Sequence, residues 1–275
     1  MSTGPFLSRF TISDLEGFSG VKAHTIRVWE RRYNLLSPAR TDTNIRTYGL
    51  EELKALLNVA YLNDHGVKIS HIAALTHQQR EERVRELAAK SVDPADRLNA
   101  LKLATASYDV ALFERTSEIH RTREGFRGLV EQLYIPLLEH IGLLWHSNSI
   151  CPAQEHFVSN LIRQKLIAAV DRAEPRVHGS GITHVLFLPD NEIHELGLLY
   201  IQYLLRTAGE HVIYLGQSVP MEDLRHVAAQ VPGRIELITV LTVMPHPDDV
   251  PAYVRRLRDT LPGDRFGLRI AGVRP

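Results

Sequence analysis

The sequence predicts a multidomain chain: an N-terminal helix-turn-helix unit (α), a middle four-helix bundle, and a C-terminal α/β domain built on a doubly wound parallel sheet. Three observations predict it. Short helical patterns joined by tight turns fill residues 11–77, and basic side chains concentrate there. From about 78 to 174, apolar residues recur at three- and four-residue steps, the spacing of a helical face. From 179 onward, apolar strand-like runs alternate with helical ones, an order that gives parallel strands with crossover helices.

The N-terminal elements follow from local signals. Ser13 and Glu16 stand at capping-box spacing for a first helix, with Ile12, Leu15 and Phe18 on one face. Gly20 permits the turn into "VKAHTIRVWERRYNLL", whose Val21, Ile26 and Trp29 face inward. Pro38, Asp42 and Asn44 mark turns around a short ribbon strand, "NIRTY". "GLEELKALLNVAYLNDHG" is helical and Gly66 ends it. The charged "QQREERVRELAAKSV" reads as a connecting helix, and Pro152 opens the last bundle helix at a first-turn position. The strands are "THVLFL", "HVIYLG", "IELITVLTV" and "RFGLRIAG".

Composition limits the function classes. Hydrophobic residues are 44% and charged residues 23% of 275, which excludes a disordered or fibrous chain. Net charge is zero, yet residues 21–48 carry six cations (Lys22, Arg27, Arg31, Arg32, Arg40, Arg46) against Glu30 and Asp42. That asymmetry implies an anionic partner for the N-terminal part. Cys151 is the single cysteine, so an intrachain disulfide and a cysteine zinc site are excluded. There is no apolar signal core and no run that spans a bilayer. A cytoplasmic protein without a membrane partner is expected.

A helix, a glycine turn and a basic helix fit a helix-turn-helix reader of double-stranded DNA. Thr25, Arg27 and Arg31 would face a major groove. Arg32, Tyr33, Arg40 and Arg46 would hold phosphates, with Tyr48 alongside; Trp29 is core. "TIRVWERRYNLLSPARTDTNIRTY" resembles the winged helix-turn-helix of MerR-type transcription regulators. The resemblance covers residues 9–77 and implies a dimer on a near-palindromic operator. Residues 78–92 then form a linker helix, 93–176 the four-helix bundle and 180–275 the α/β domain.

In "DNEIHELGLLY", Glu192, His194 and Gly197 follow the first strand of the sheet, where open parallel sheets bind ligands. A lone histidine there is most often structural, and the residues alone permit a metal or a flavin equally. Glu192 is close enough in sequence to orient the His194 imidazole, and Gly197 lets a bulky ligand approach the backbone. The spacing resembles the cobalamin-binding signature, Asp-x-His-x-x-Gly followed some forty residues later by Ser-x-Leu and then Gly-Gly, in its Glu variant. That variant is similar to the light-responsive regulators of the CarH/LitR type. Upstream, Trp145 and His146 precede Glu155 and His156, resembling the Trp-x(9)-Glu-His pattern of those regulators' four-helix cap.

The resemblance implies adenosylcobalamin as cofactor, in a Rossmann-like cobalamin-binding domain. His194 would be the axial cobalt ligand, with Trp145 and Glu155 covering the adenosyl group. His156 belongs to the same lid, and His146 would be a second cobalt ligand after photolysis. Where Ser-x-Leu is expected the chain reads Leu241-Thr242-Val243, with Thr242 as a substitute hydroxyl. Ser218 is a second candidate for the tail pocket, and the Gly-Gly element reads Ala271-Gly272. The chain stops at Pro275, without a helix closing the last crossover. The resulting expectation is a cobalamin-dependent, light-responsive repressor, dimeric or tetrameric and not an enzyme. The alternative keeps the DNA-binding head and makes the α/β domain a cofactor-free oligomerisation module. A corrinoid carrier for methyl transfer is a third class, but it would need a catalytic partner domain that the sequence does not show.

Overall fold

A computed structural model describes residues 10–90, 93–146, 152–173, 181–261 and 263–272, without the side chains of 88–90 and 143–146. The chain divides into two compact units, Met1–Ser159 and Asn160–Pro275.

In the first unit, α1 (Ile12–Ser19) is capped by Thr11. The capping box joins Thr11 to Asp14 rather than Ser13 to Glu16, because the helix begins two residues earlier than the sequence spacing suggests. Glu16 is thereby free to accept Lys22 Nζ and the Ala23 N–H, both at 3.0 Å, which fixes the start of α2 (Ala23–Tyr33). Gly20, at φ 70°, makes the tight turn between the two helices. Leu15, Phe18, Ile26 and Trp29 are buried. The wing is an antiparallel pair, β1 (Ala39–Arg40) with β2 (Arg46–Thr47). It closes through a backbone bridge between Phe10 and Tyr48. Then come α3 (Leu50–Asp64), α4 (Ile69–Ala74) and α5 (His77–Lys90).

The helical bundle continues with α6 (Pro94–Ser107) and α7 (Val110–Leu129), which bends at Gly125 (φ 74°). A π-helical turn at Val130–Tyr134 leads into α8 (Ile135–His146); α9 (Pro152–Arg172) starts in the first unit and runs on into the second. Phe113 is fully buried and stacks on Tyr134 at 5.7 Å. The Tyr134 hydroxyl donates to Ser117 at 3.0 Å. Phe18 of α1 meets the His140 ring of α8 edge-on at 6.2 Å, so the head and the bundle share packing.

The second unit holds the parallel sheet of β3 (Ile182–Phe187), β4 (His211–Gly216), β5 (Arg234–Leu241) and β6 (Phe266–Gly272), in the order β4-β3-β5-β6. Alternate residues of each strand feed opposite layers. Leu186, Leu188, Ile238 and Val240 pack beneath α10 (Leu196–Thr207). Val185, Phe187, Ile235 and Leu237 pack against α11 (Met221–Gln230) and α12 (Val250–Thr260). The chain order reverses between β3 and β5, which is the crevice where open α/β sheets bind ligands.

Truncating Phe113 to alanine removes a fully buried ring from the bundle. It is expected to cost about 3–5 kcal/mol in urea unfolding of the full chain, and a loss below about 1 kcal/mol would show that this core is not as packed as described.

Candidate functional site

His194 lies in the loop between β3 and α10, at the switch point. Its geometry is set by Glu192, whose side chain is fully buried while that of His194 is 52% exposed. One carboxylate oxygen accepts the backbone N–H groups of Ile193 and His194, both at 2.9 Å, and pairs with His194 Nδ1 at 2.5 Å. The other oxygen accepts the N–H groups of Val243 at 2.7 Å and Met244 at 2.8 Å, in the loop after β5. Burial alone would push this carboxyl up, but the donors from Met244, Val243 and His194 overcome it and hold the group at about 2. Glu192 is therefore ionised at neutral pH. It binds Nδ1–H and fixes the tautomer in which Nε2 carries the lone pair. Nε2 makes no hydrogen bond among the described residues.

The neighbouring loops are knit to the same point. Ser218 Oγ accepts the Asn191 N–H at 3.0 Å and donates to Asp190 Oδ1 at 3.2 Å, and its own N–H donates to the Glu192 carbonyl at 3.0 Å. A Cβ at Gly197 would meet only the Val240 methyl groups, at 3.5 Å and beyond, so internal packing does not demand glycine there. At Gly272 it does, because a Cβ would fall 2.1 Å from the Leu241 carbonyl oxygen.

Thr242 is exposed in the loop beyond β5. The hydroxyl that sequence reading missed is Thr239, still inside β5, with no exposure and no hydrogen-bond partner for Oγ1 among the described residues. Thr239-Val240-Leu241 also stands some forty residues after Gly197 and keeps the Leu, a register available in the sequence. Glu195, the acid on the other side of His194, is anchored as well. Its side chain is 8% exposed and bonds Arg163 of α9 and Tyr214 of β4.

Glu155 stands in the first turn of α9, accepting Ser159 Oγ at 2.6 Å and pairing with His156 Nδ1 at 2.6 Å. Trp145 and His146 close α8, and their side chains lie outside the described residues.

On the DNA-binding head, Arg27 and Arg31 are exposed on α2, with Arg32 beside them and Arg40 on the wing. Thr25, Tyr33 and Arg46 are half-buried. His24 was not anticipated; it is exposed and shares the face of Arg27 and Arg31 at helical spacing. Arg40 also steadies the wing turn, donating to Asn44 Oδ1 at 2.6 Å. The expected place of Tyr48 beside the phosphates needs correction. Its side chain is 1% exposed, because its backbone bridges Phe10 and its hydroxyl donates to Glu30 at 3.2 Å. Glu30 also accepts Arg46 Nε at 3.0 Å, so a single carboxylate ties the wing to α2.

The donor set fits a cobalt corrinoid: a fixed imidazole, a buried hydroxyl without a partner and a glycine that internal packing leaves unexplained. Comparison with known proteins agrees. Residues 10–79 match the MerR HTH family of regulatory proteins, and residues 77–169, the helical segment, match a B12 binding domain. Fold and matches together define a DNA-binding regulator that takes cobalamin as its cofactor. The HTH-type transcriptional repressor CarH of Myxococcus xanthus is 34% identical over 252 residues, covering 89% of this chain and 82% of CarH. CarA of the same organism is 28% identical over 228 residues, covering 80% of this chain and 72% of CarA. The monomethylamine corrinoid protein of Methanosarcina barkeri is similar at a TM-score of 0.47 and 12% identity, covering 69% of this chain and 82% of that one. The chain belongs to the CarH family of MerR-type, B12-binding regulators.

Two predictions follow from these carboxylates. Glu192→Gln exchanges an acceptor oxygen for an NH₂ group and leaves buried N–H donors unpaired, a loss of about 2 kcal/mol at pH 7 by urea unfolding of the apo chain. Because the folded group titrates below the ordinary carboxyl value of 4.5, the charge-dependent part is present above that value. It fades as pH falls towards about 2, so the gap between wild type and variant narrows on acidification. A gap independent of pH would contradict the ionised state. Glu30→Ala removes a negative charge near DNA, yet by freeing Arg46 and Tyr48 it should weaken operator binding about tenfold in a gel shift; stronger binding would show that charge alone governs the wing.

Proposed function

We propose that this protein represses transcription from an operator that it releases in the light. The observation that carries the reading is the buried, ionised Glu192 presenting His194 with Nε2 outward. When bound, adenosylcobalamin supplies a cobalt–carbon bond that visible light breaks.

His194 Nε2 would hold the cobalt of the corrinoid, with Glu192 fixing the orientation of the imidazole. Thr239 supplies a buried hydroxyl for the nucleotide tail. Gly272 ends the neighbouring strand β6, Ser218 stands in the loop after β4, and Gly197 leaves room for the corrin beside α10. Trp145 provides a flat apolar surface for the adenosyl group, and the Glu155 carboxylate, oriented by Ser159 and His156, accepts ribose hydroxyls. His146, next to Trp145 in sequence, would be a second cobalt ligand.

Arg27, Arg31 and His24 read the major groove, while Arg32, Tyr33, Arg40 and Arg46 hold phosphates. Cofactor binding favours an assembly of several copies, whose joined heads raise operator avidity without new contacts. The assembly acts in the cytoplasm as a regulator rather than a catalyst.

The test is a gel shift with full-length protein and operator DNA. Protein loaded in darkness is expected to bind, and green illumination to weaken it at least about tenfold, a coupling of ordinary allosteric size. His194→Ala should take up no adenosylcobalamin, while its DNA binding no longer responds to light. Equal retardation of the loaded wild type before and after illumination would overturn the light switch.

A further inference from the structure

His194 is flanked by two anchored carboxylates, and the cobalamin signature accounts for only one. Glu192 fastens the loop to the β5 side of the crevice. Glu195, the next residue after His194, fastens it on the opposite side. Its Oε1 accepts Arg163 Nε of α9 at 2.5 Å, and its Oε2 accepts the Tyr214 hydroxyl of β4 at 2.9 Å. The Glu195 side chain is 8% exposed and that of Arg163 is 47% exposed. Glu195 makes no side-chain cap to α10, the helix it precedes, so helix formation does not explain a buried acid here. Stability is a weak explanation too, because burying a charge pair costs about as much as the pairing returns. Geometry remains: both oxygens are held, from two different elements, immediately beside the metal-ligand position.

We propose that Arg163 and Tyr214 are positioning residues that act through Glu195 to hold His194 in its cobalt-ligating orientation. α9 thereby takes part in cofactor binding through its C-terminal half. The inference rests on the cobalamin reading above. It makes corrinoid affinity, rather than folding, the property that depends on these side chains, as with other partners that orient metal-bound histidines.

The experiment uses the full chain with Arg163→Ala, Arg163→Lys, Glu195→Gln, Tyr214→Phe and the Arg163→Ala/Glu195→Gln double variant. Each is titrated with adenosylcobalamin in darkness and with hydroxocobalamin, followed by absorbance. Amide hydrogen exchange of residues 191–198 is measured in the cofactor-free protein. Arg163→Ala and Glu195→Gln should each raise the dissociation constant about tenfold, with melting temperatures close to wild type. The double variant should be no worse than the weaker single, as expected for one shared interaction. Arg163→Lys should recover part of the loss, and Tyr214→Phe, the mildest change, should lie between wild type and Glu195→Gln. Exchange in the loop should quicken in Arg163→Ala and Glu195→Gln while the strands keep their protection. Affinities within twofold of wild type, or losses that add in the double variant, would overturn the proposal. If the wild type itself takes up no corrinoid, the cofactor reading fails. Loop exchange then still decides the positioning role, with unchanged protection in Arg163→Ala overturning it.

Discussion

One buried carboxylate organises the C-terminal domain. Glu192 gathers four backbone N–H groups and an imidazole, drawing on two loops that lie about fifty residues apart in sequence. A carboxylate without exposure is costly unless its lone pairs are filled. Here they are, and the group is held down at about 2 despite burial. Three consequences follow from the same contacts. The loops after β3 and β5 are tied to each other, the His194 ring is oriented, and its Nε2 is left without a hydrogen bond among the described residues. All three depend on the one carboxylate they share.

The rest of the domain serves to place that point. A sheet of order β4-β3-β5-β6, with helices on both faces, must reverse direction between β3 and β5. The loops after those strands then diverge and leave a crevice. The loop after β4 delivers Ser218 to the His194 loop, and α9 delivers Arg163 to the residue beside His194. An analogous economy holds in the DNA-binding head. Glu30 joins Arg46 and Tyr48 and so ties a two-stranded wing, too short to be stable alone, to the basic helix beside it.

How much of this was legible in the sequence depended on whether the signal was local. The strands, the helices and the Glu-x-His-x-x-Gly loop could be read because periodicity and turn residues act over a few positions. The basic face of α2 could be read for the same reason. Tyr48 was misplaced because its neighbours are cations, whereas its burial is decided by Phe10, far upstream and paired with it across the backbone. The first helix cap was misassigned because Thr11/Asp14 and Ser13/Glu16 share the same spacing, and only the folded chain shows that Glu16 is occupied by Lys22 and Ala23. Thr239 was missed in favour of Thr242 because the strand's end, not its composition, decides which hydroxyl stays inside. Glu195 could be seen to flank His194, but its partners gave no signal, since they come from α9 and β4, and long-range ion pairs leave no periodic trace.

The central claim is that the imidazole of His194 binds cobalt in place of the cofactor's own base. Electron paramagnetic resonance of the protein loaded with the paramagnetic cobalt(II) form of the cofactor tests it most directly, because the axial nitrogen splits the cobalt lines. In protein grown on histidine enriched in the heavy nitrogen isotope, the account requires the nitrogen triplet to collapse to a doublet. A triplet unchanged by the label would show that a non-protein nitrogen occupies the position, and the account would be wrong.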